Sequence, residues 1–259
     1  LERQKAAAEA ICQKLFSGGY AFGPVKCWAC GRGDIPIVAR KDRHGLPAMV
    51  GVCRVCGLMQ AAPRMTGESY ETLLREDTKS LRRGSDRALN ETFGKRVREG
   101  HRILQHLEGA SVAPDENSLV VQVGARTGGI LSAFREAGHR VIGLNVVPGS
   151  RSVEFAREQG LQMQSAKPAD AELPGKPDLV IYSGSFQHIL DPVSEIWTVG
   201  DMLPQEGLLY IQASGLYNLH ISHGLDLLQL LDIRDMYYYT LRSLCGVVTR
   251  SEERRVGKE

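Results

Sequence analysis

The sequence predicts an α/β fold, a doubly wound and mainly parallel sheet, joined to a small cysteine-bearing module near the N-terminus. Three observations predict it. From Pro114 onward, short apolar runs alternate with helical stretches. A glycine-rich turn, Val123-Gly124-Ala125-Arg126-Thr127-Gly128-Gly129, separates the first such run from the first helix, and two Cys-x-x-Cys pairs stand upstream. Short apolar strands alternating with helices are the pattern of a parallel sheet covered on both faces.

Each element follows in order. Glu2 to Phe16 has helical composition, with Ile11, Leu15 and Phe16 on one side and Gly18-Gly19 as a stop. Between Pro24 and Pro63, the extended pieces IPIVAR and AMVGVC flank KDRHGLP and predict small hairpins. Glu68 to Leu107 carries two helical stretches broken at Gly84-Ser85. In the second, Leu89, Phe93, Val97, Leu104 and Leu107 recur at mostly helical spacing, so one face is buried. The basic residues of this region (Arg82, Arg83, Lys95, Arg96 and Arg98) are interleaved with acids and read as a solvated face. Beyond Pro114 the expected order is a strand over 119–123, a helix over 130–137, a strand over 141–144 and a helix over 152–159. A strand over 178–182, a helix over 193–202 and a strand over 208–212 complete it.

Composition narrows the function. A chain of 259 residues with 42% hydrophobic residues supports one large core, or one core and a small appended module. A net charge of +2 provides no footprint for nucleic acid. No apolar run approaches the roughly 20 residues that span a bilayer, and LERQKAAAEA does not read as a signal peptide. Paired cysteines without a secretion signal point to a reduced cytoplasm. The chain starts at Leu1, and its last ten residues, RSEERRVGKE, resemble the conceptual translation of a common sequencing adapter. The expectation is therefore a fragment whose residues 250–259 lie outside the fold; an ordinary charged tail is the alternative.

Cys27-Trp-Ala-Cys30 and Cys53-Arg-Val-Cys56 are each followed by glycine. A zinc knuckle needs two thiolates from one tight turn, and the glycine lets backbone N–H groups face the sulfurs. Two knuckles complete a tetrahedral Zn2+ site, with a hairpin fitting between them. Four protein ligands close the site, so the metal would be structural. A redox dithiol or separate buried thiols are the alternatives. Cys12 and Cys245 have no partner at ligand spacing.

The glycine-rich turn follows an apolar strand, precedes a helix, and is followed by a strand ending at Asn145. That layout suits a nucleotide held at a helix N-terminus, with a ribose near the second strand's end. In order, VVQVGARTGG, VIGLN, DLVIYSGSFQHILDP and MLPQEGLLYIQASG resemble the successive motifs of class I S-adenosylmethionine-dependent methyltransferases, over residues 119–215. DPVSEIWTVGDMLPQEGLLYI is especially similar to that family's run of Asp-Pro, helix, turn and strand. The cysteine module and YYYTLRSL resemble a subgroup associated with sugar or surface-polysaccharide modification.

The resemblance implies a Rossmann-like fold and S-adenosylmethionine as cofactor. It places Gly124 and Gly128 around the methionine part, with Gln122, Ala125 and Arg126 in the same binding turn. It sets Asn145 on the ribose, Ala166-Lys167 near the adenine, and Ser183 to Ser185 at the floor of the reaction site. This chain departs from the family at four positions: Gln122, Asn145 and Gln187 replace acids, and Arg126 replaces glycine. An amide still bonds a hydroxyl but loses the charge-assisted part, of order 1 kcal/mol. Arg126 must turn its side chain outward or occupy space meant for the cofactor.

Methyl transfer needs an in-line arrangement, and a base only where the acceptor must lose a proton. His188 is the catalytic candidate, although its position also suits a packed histidine. Asp191-Pro192 suits a helix cap. His220 and His223 suit either an acceptor pocket or a loop surface, and Tyr237-Tyr238-Tyr239 reads as half core, half pocket wall. Related sugar C-methyltransferases carry His-Glu-His where this chain has Ile233, Arg234 and Asp235, which favours O- or N-methylation. The final strand hairpin is missing, which leaves a sheet edge uncovered.

The division read from the sequence is an N-terminal helix (1–23), a zinc-binding module (24–66), a helical connector (67–113), a shortened methyltransferase domain (114–249) and a tail (250–259). The expected activity is methyl transfer from S-adenosylmethionine to a small molecule, a saccharide or nucleotide-sugar. The rival is a catalytically degenerate, methyltransferase-like binding or scaffold protein. An RNA methyltransferase is a third reading, against which the near-neutral charge speaks.

Overall fold

The computed structural model describes residues 2–77, 86–145, 150–213, 215–216 and 226–256. The chain forms two compact units: Leu1–Arg82 with Gln187–Ser194 and Ala213–Glu259, and Arg83–Phe186 with Glu195–Gln212. The stretch expected as one helical connector is thus divided between the units, and the chain beyond 212 belongs with the cysteine knuckles.

The first unit begins with α1 (Glu2–Phe16). Ile11 is buried but Phe16 is 80% exposed, so the expected apolar side is narrower than the sequence suggests. Five residues lie about 140° apart on a helix of 3.6 residues per turn, which separates the two side chains. β1 (Phe22–Gly23) pairs with β5 (Arg64–Met65), while β2 (Ile37–Lys41) and β3 (Pro47–Val52) form the expected hairpin. Asp42 organises its loop by accepting from the backbone N–H groups of His44 at 2.8 Å and Leu46 at 2.9 Å. β4 (Met59–Ala61) extends this sheet, and α2 (Gly67–Arg75) buries Tyr70 and Leu73.

The second unit opens with α3 (Asp86–Gly109), which buries Ile103, Leu104 and Leu107 and packs Val97 against the same core. Its sheet comprises β6 (Leu119–Val123), β7 (Arg140–Leu144), β8 (Gln162–Gln164), β9 (Leu179–Ser183) and β10 (Leu208–Gln212). The helices are α4 (Gly129–Glu136), α5 (Arg151–Glu158) and α6 (Pro192–Met202). Every strand pairing is parallel, in the order β10-β9-β6-β7-β8. All five positions of β6 and of β9 are buried, because helices cover both faces of a parallel sheet. α3 approaches α4 closely at Gly100, where a Cβ would stand 2.7 Å from that of Ala133. The order reverses beside β6, so the crevice outside the carboxyl ends of β6 and β9 is the switch point where such sheets bind ligands. β10 borders the sheet, and most of its residues are half-buried.

The chain then rejoins the first unit. α7 (Leu227–Leu230) is capped by Asp226, which accepts from the N–H of Leu228 at 2.9 Å. β11 (Tyr237–Tyr238) adds to β4, giving the antiparallel order β11-β4-β3-β2. Tyr237, Tyr238 and Tyr239 are all buried. The expected half core, half pocket wall is therefore core, since the first two tyrosines form a strand on Met59 and Gln60. α8 (Leu241–Val256) runs through Arg250, so the segment set apart in the sequence is helical as far as Val256. No described helix is long and apolar enough to cross a membrane.

Candidate cofactor site and cysteine cluster

The turn after β6 is built for close approach. Gly124 and Gly128 both have φ of 75°, and the N–H groups of Gly124 and Ala125 donate to Leu144 O at 2.8 and 3.3 Å. Arg126 shares the left-handed conformation, at φ 52°. For a non-glycine residue this costs roughly 1–2 kcal/mol. Arg126 is exposed to solvent and also contributes to the wall of the concavity beside this turn, so neither of the two alternatives is singled out.

A small concavity, open to solvent, lies against this turn. Thr92, Arg96, Gln122, Gly124, Arg126 and Thr127 contribute to its lining, with Ala125 beside them. Gln122 is 3% exposed and its Oε1 has no hydrogen-bond partner among the described residues. Strand register sets Val123 opposite Leu144, so Gln122 and Asn145 share the same end of the sheet. Asn145 is 8% exposed, and its N–H donates to Gln164 O at 2.9 Å. Gly128 opens α4 as its N-cap. Ala166 is half-buried in the loop after β8, and neither it nor Asn145 nor Ser183 lines the concavity.

Ser183 ends β9 and is bonded from α3. Its hydroxyl donates to Glu99 Oε1 at 2.6 Å, and Arg96 Nη1 donates to its oxygen at 3.2 Å and to Glu99 Oε2 at 2.6 Å. Arg96 is therefore part of the site wall rather than of the solvated face expected for this helix. Arg96 and Glu99 are missed by sequence reasoning because their i,i+3 charge pairing looks the same on any exposed helix.

His188 belongs to the other unit. Its Nδ1 stands 2.9 Å from Arg234 O and 3.1 Å from Asp235 Oδ1, with the ring half-exposed. Tyr70 Oη also donates to Arg234 O, at 2.6 Å. Burial above all, and then the charges of Asp235 and Asp232, push the Tyr70 hydroxyl well above its ordinary value, so it stays a donor. Asp191 accepts from Ser194 N–H at 2.9 Å and from its hydroxyl at 2.8 Å, the expected cap of α6. His220 and His223 lie outside the described residues.

The two knuckles repeat one geometry. Cys27 N–H donates to Arg32 O at 2.8 Å and Cys53 N–H to Leu58 O at 2.9 Å; Gly31 and Gly57 close each turn at φ 73° and 75°. The Sγ atoms of Cys27, Cys30, Cys53 and Cys56 lie within 4.8 Å of one another, with Cys27 to Cys56 at 3.3 Å and Cys30 to Cys53 at 3.5 Å. Burial pushes the Cys27 thiol up. Burial acts the same way on Cys53, but the N–H groups of Cys56 and Val55 and the neighbouring thiols outweigh it and bring Cys53 to about 7. Four sulfurs converging from two such turns fit a tetrahedral metal.

A parallel sheet in this order, with a glycine turn at its switch point, is a Rossmann-like domain. A family model described as a methyltransferase domain matches residues 93–251, more than half of the chain. The chain belongs to that family, of S-adenosylmethionine-dependent methyltransferases.

One of the similar solved structures supports the fold. Burkholderia thailandensis 1,6-didemethyltoxoflavin-N1-methyltransferase, with bound 1,6-didemethyltoxoflavin and S-adenosylhomocysteine, is 16% identical; the match covers 79% of this chain and 84% of that one, at TM-score 0.52. A chain from the complex of the Haloferax volcanii Trm112 methyltransferase activator and a putative methyltransferase is 20% identical, covering 63% and 75%, at 0.47. Streptomyces venezuelae DesVI is 16% identical, covering 52% of this chain and 60% of its own length, at 0.42. A comparison with curated proteins returns no match.

Proposed function

We propose that the chain transfers a methyl group from S-adenosylmethionine to a small-molecule acceptor, a saccharide or nucleotide-sugar, at oxygen or nitrogen. The observation that carries this reading is Gln122 Oε1, a buried acceptor without a donor among the described residues that borders the concavity. A buried acceptor left unpaired costs about 1–3 kcal/mol, so a ligand N–H or O–H that meets it binds with that gain. When bound, the cofactor supplies an electrophilic methyl on a sulfonium. Gly124 and Gly128 let backbone come close to it, and Asn145 accepts from ribose hydroxyls. Ala166 belongs to the adenine side and Ser183 to the floor. His188 takes the acceptor's proton as nucleophile and methyl are brought into line.

Calorimetric titration of S-adenosylmethionine into the full chain tests this reading. Saturable heat with one site is the expected result; no heat and no thermal shift at millimolar ligand would overturn it. The degenerate binding protein is the second reading, favoured by the amides at Gln122 and Asn145 and by Arg126. It requires catalysis to be lost, so a titration without heat favours it, and heat without methyl transfer to any acceptor does as well. We also propose one structural Zn2+ on the four cysteines, held in a reduced compartment such as the cytoplasm. Metal analysis well below one zinc per chain would refute that.

A further inference from the structure

We infer that Asp235 is the positioning residue for His188: together with the carbonyl of Arg234 it fixes the proton on Nδ1 and leaves Nε2 as the basic atom. This rests on reading His188 as the acceptor's base. Arg234 O, at 2.9 Å, shares a hydrogen bond with Nδ1, and Asp235 Oδ1 stands 3.1 Å from the same nitrogen as an ion-pair contact; neither oxygen can donate to it while Asp235 is ionised. Nδ1 must then carry the hydrogen, and in the neutral ring the lone pair falls to Nε2.

The support around this pair is firm. Arg234 is held through its own side chain, which donates to both oxygens of Asp232. Its carbonyl also accepts from Tyr70 of α2. Met236 N–H donates to Gln187 O at 2.9 Å, tying the loop before β11 to the residue preceding His188. Asp235 is 8% exposed, so its charge acts in a partly water-excluded setting. Among the described residues, the charged and titratable groups about the ring are Asp235, Asp232 and Arg234 from that loop and Tyr70 from α2. Arg234 turns its guanidinium to Asp232 and leaves the Asp235 carboxylate to the imidazole.

In the transfer, the acceptor's O–H or N–H bond breaks and its proton passes to Nε2. A bound S-adenosylmethionine would supply the methyl carbon to which the acceptor's electron pair bonds, its sulfur keeping the pair of the broken S–CH3 bond. The imidazolium that results carries its second proton on Nδ1, facing the Asp235 carboxylate. An orienting carboxylate of this kind holds the tautomer and stabilises the imidazolium without itself being protonated.

Long-range 1H–15N spectra of the ring-labelled full chain test the proposal without substrate or cofactor. The unmodified chain should show the neutral His188 ring as the Nδ1–H tautomer, whereas free imidazole side chains favour Nε2–H. Asp235→Asn should lose that dominance and move the Nδ1 proton resonance upfield, with backbone amide spectra otherwise preserved. An Nε2–H tautomer in the unmodified chain would overturn the proposal. So would an unchanged tautomer and proton shift in the variant, because Arg234 O alone would then hold the ring. These readouts stand apart from S-adenosylmethionine binding, so this inference and the proposed activity can fail separately.

Discussion

Gly124 and Ser185 are packed so closely that Gly124 has no room for a side chain: a Cβ on it would stand 2.5 Å from that of Ser185. Ser185 Oγ also donates to Val123 O at 2.6 Å. The turn after β6 and the loop after β9 are thereby fixed to each other across the switch point. Backbone N–H groups at such a site are oriented before any ligand arrives, which lowers the ordering cost of binding.

Gly124→Ala should therefore be costly on two counts. The left-handed φ of 75° adds roughly 1–2 kcal/mol for a residue with a Cβ. Overpacking against Ser185 adds roughly 1–3 kcal/mol. Urea unfolding should show a loss of about 2–4 kcal/mol. Adding Ser185→Gly should return part of that loss; if the double variant is no more stable than the single one, the contact with Ser185 is not its source.

Gln122→Leu should separate stability from binding. It removes a buried acceptor that has no partner, so the fold should hold its stability or gain about 1 kcal/mol. The dissociation constant for S-adenosylmethionine should rise about five- to tenfold, from the loss of one hydrogen bond. Thermal unfolding and calorimetry on one preparation measure both. Unchanged affinity would remove Gln122 from the ligand site.

Which parts could be read beforehand follows from where their signal lies. β6, β7, β9 and β10 were legible because each is a run of apolar residues bounded by turns or charges. β8 was not: Gln162-Met163-Gln164 is three residues long and only Met163 is buried. β11 escaped for another reason. Two tyrosines form a strand only because β4, far away in sequence, supplies the partner. The glycine turn and the cysteines announce themselves by spacing. Glu99 behind Ser183 and Asp235 beside His188 do not, since each acts on a residue distant in sequence and carries no local pattern.

Asp232 should make the cysteine-bearing unit sensitive to acid. Burial alone pushes its carboxyl up, but hydrogen bonds and charge from Arg234, joined by Arg43, outweigh that and hold it well below the ordinary value. The folded-state value lies below the unfolded one, near 3.9. Its contribution is thus fully present above about pH 4 and is lost as pH falls below that. Asp232→Asn leaves the largely buried Arg234 guanidinium without its carboxylate and should cost about 3 kcal/mol at neutral pH. Urea curves at pH 7 and pH 3 should show the difference between variant and parent shrinking at the lower pH. A difference independent of pH would assign the loss to packing.

Arg250 bears on whether the C-terminal segment belongs to the fold. Its Nη1 donates to Cys27 O at 3.0 Å and to Trp28 O at 2.9 Å, so α8 grips the backbone of the first knuckle. Arg250→Ala leaves all four thiols in place and should still bind one zinc. It removes two charge-assisted bonds, worth about 1–2 kcal/mol, and the knuckle should open more often. Zinc release to a chelator in excess should be several-fold faster, and a chain ending at Thr249 should behave in the same way. If both release zinc at the rate of the full chain, the segment contributes nothing to the knuckle. That is the outcome its resemblance to adapter sequence predicts, and the two hydrogen bonds of Arg250 predict the opposite.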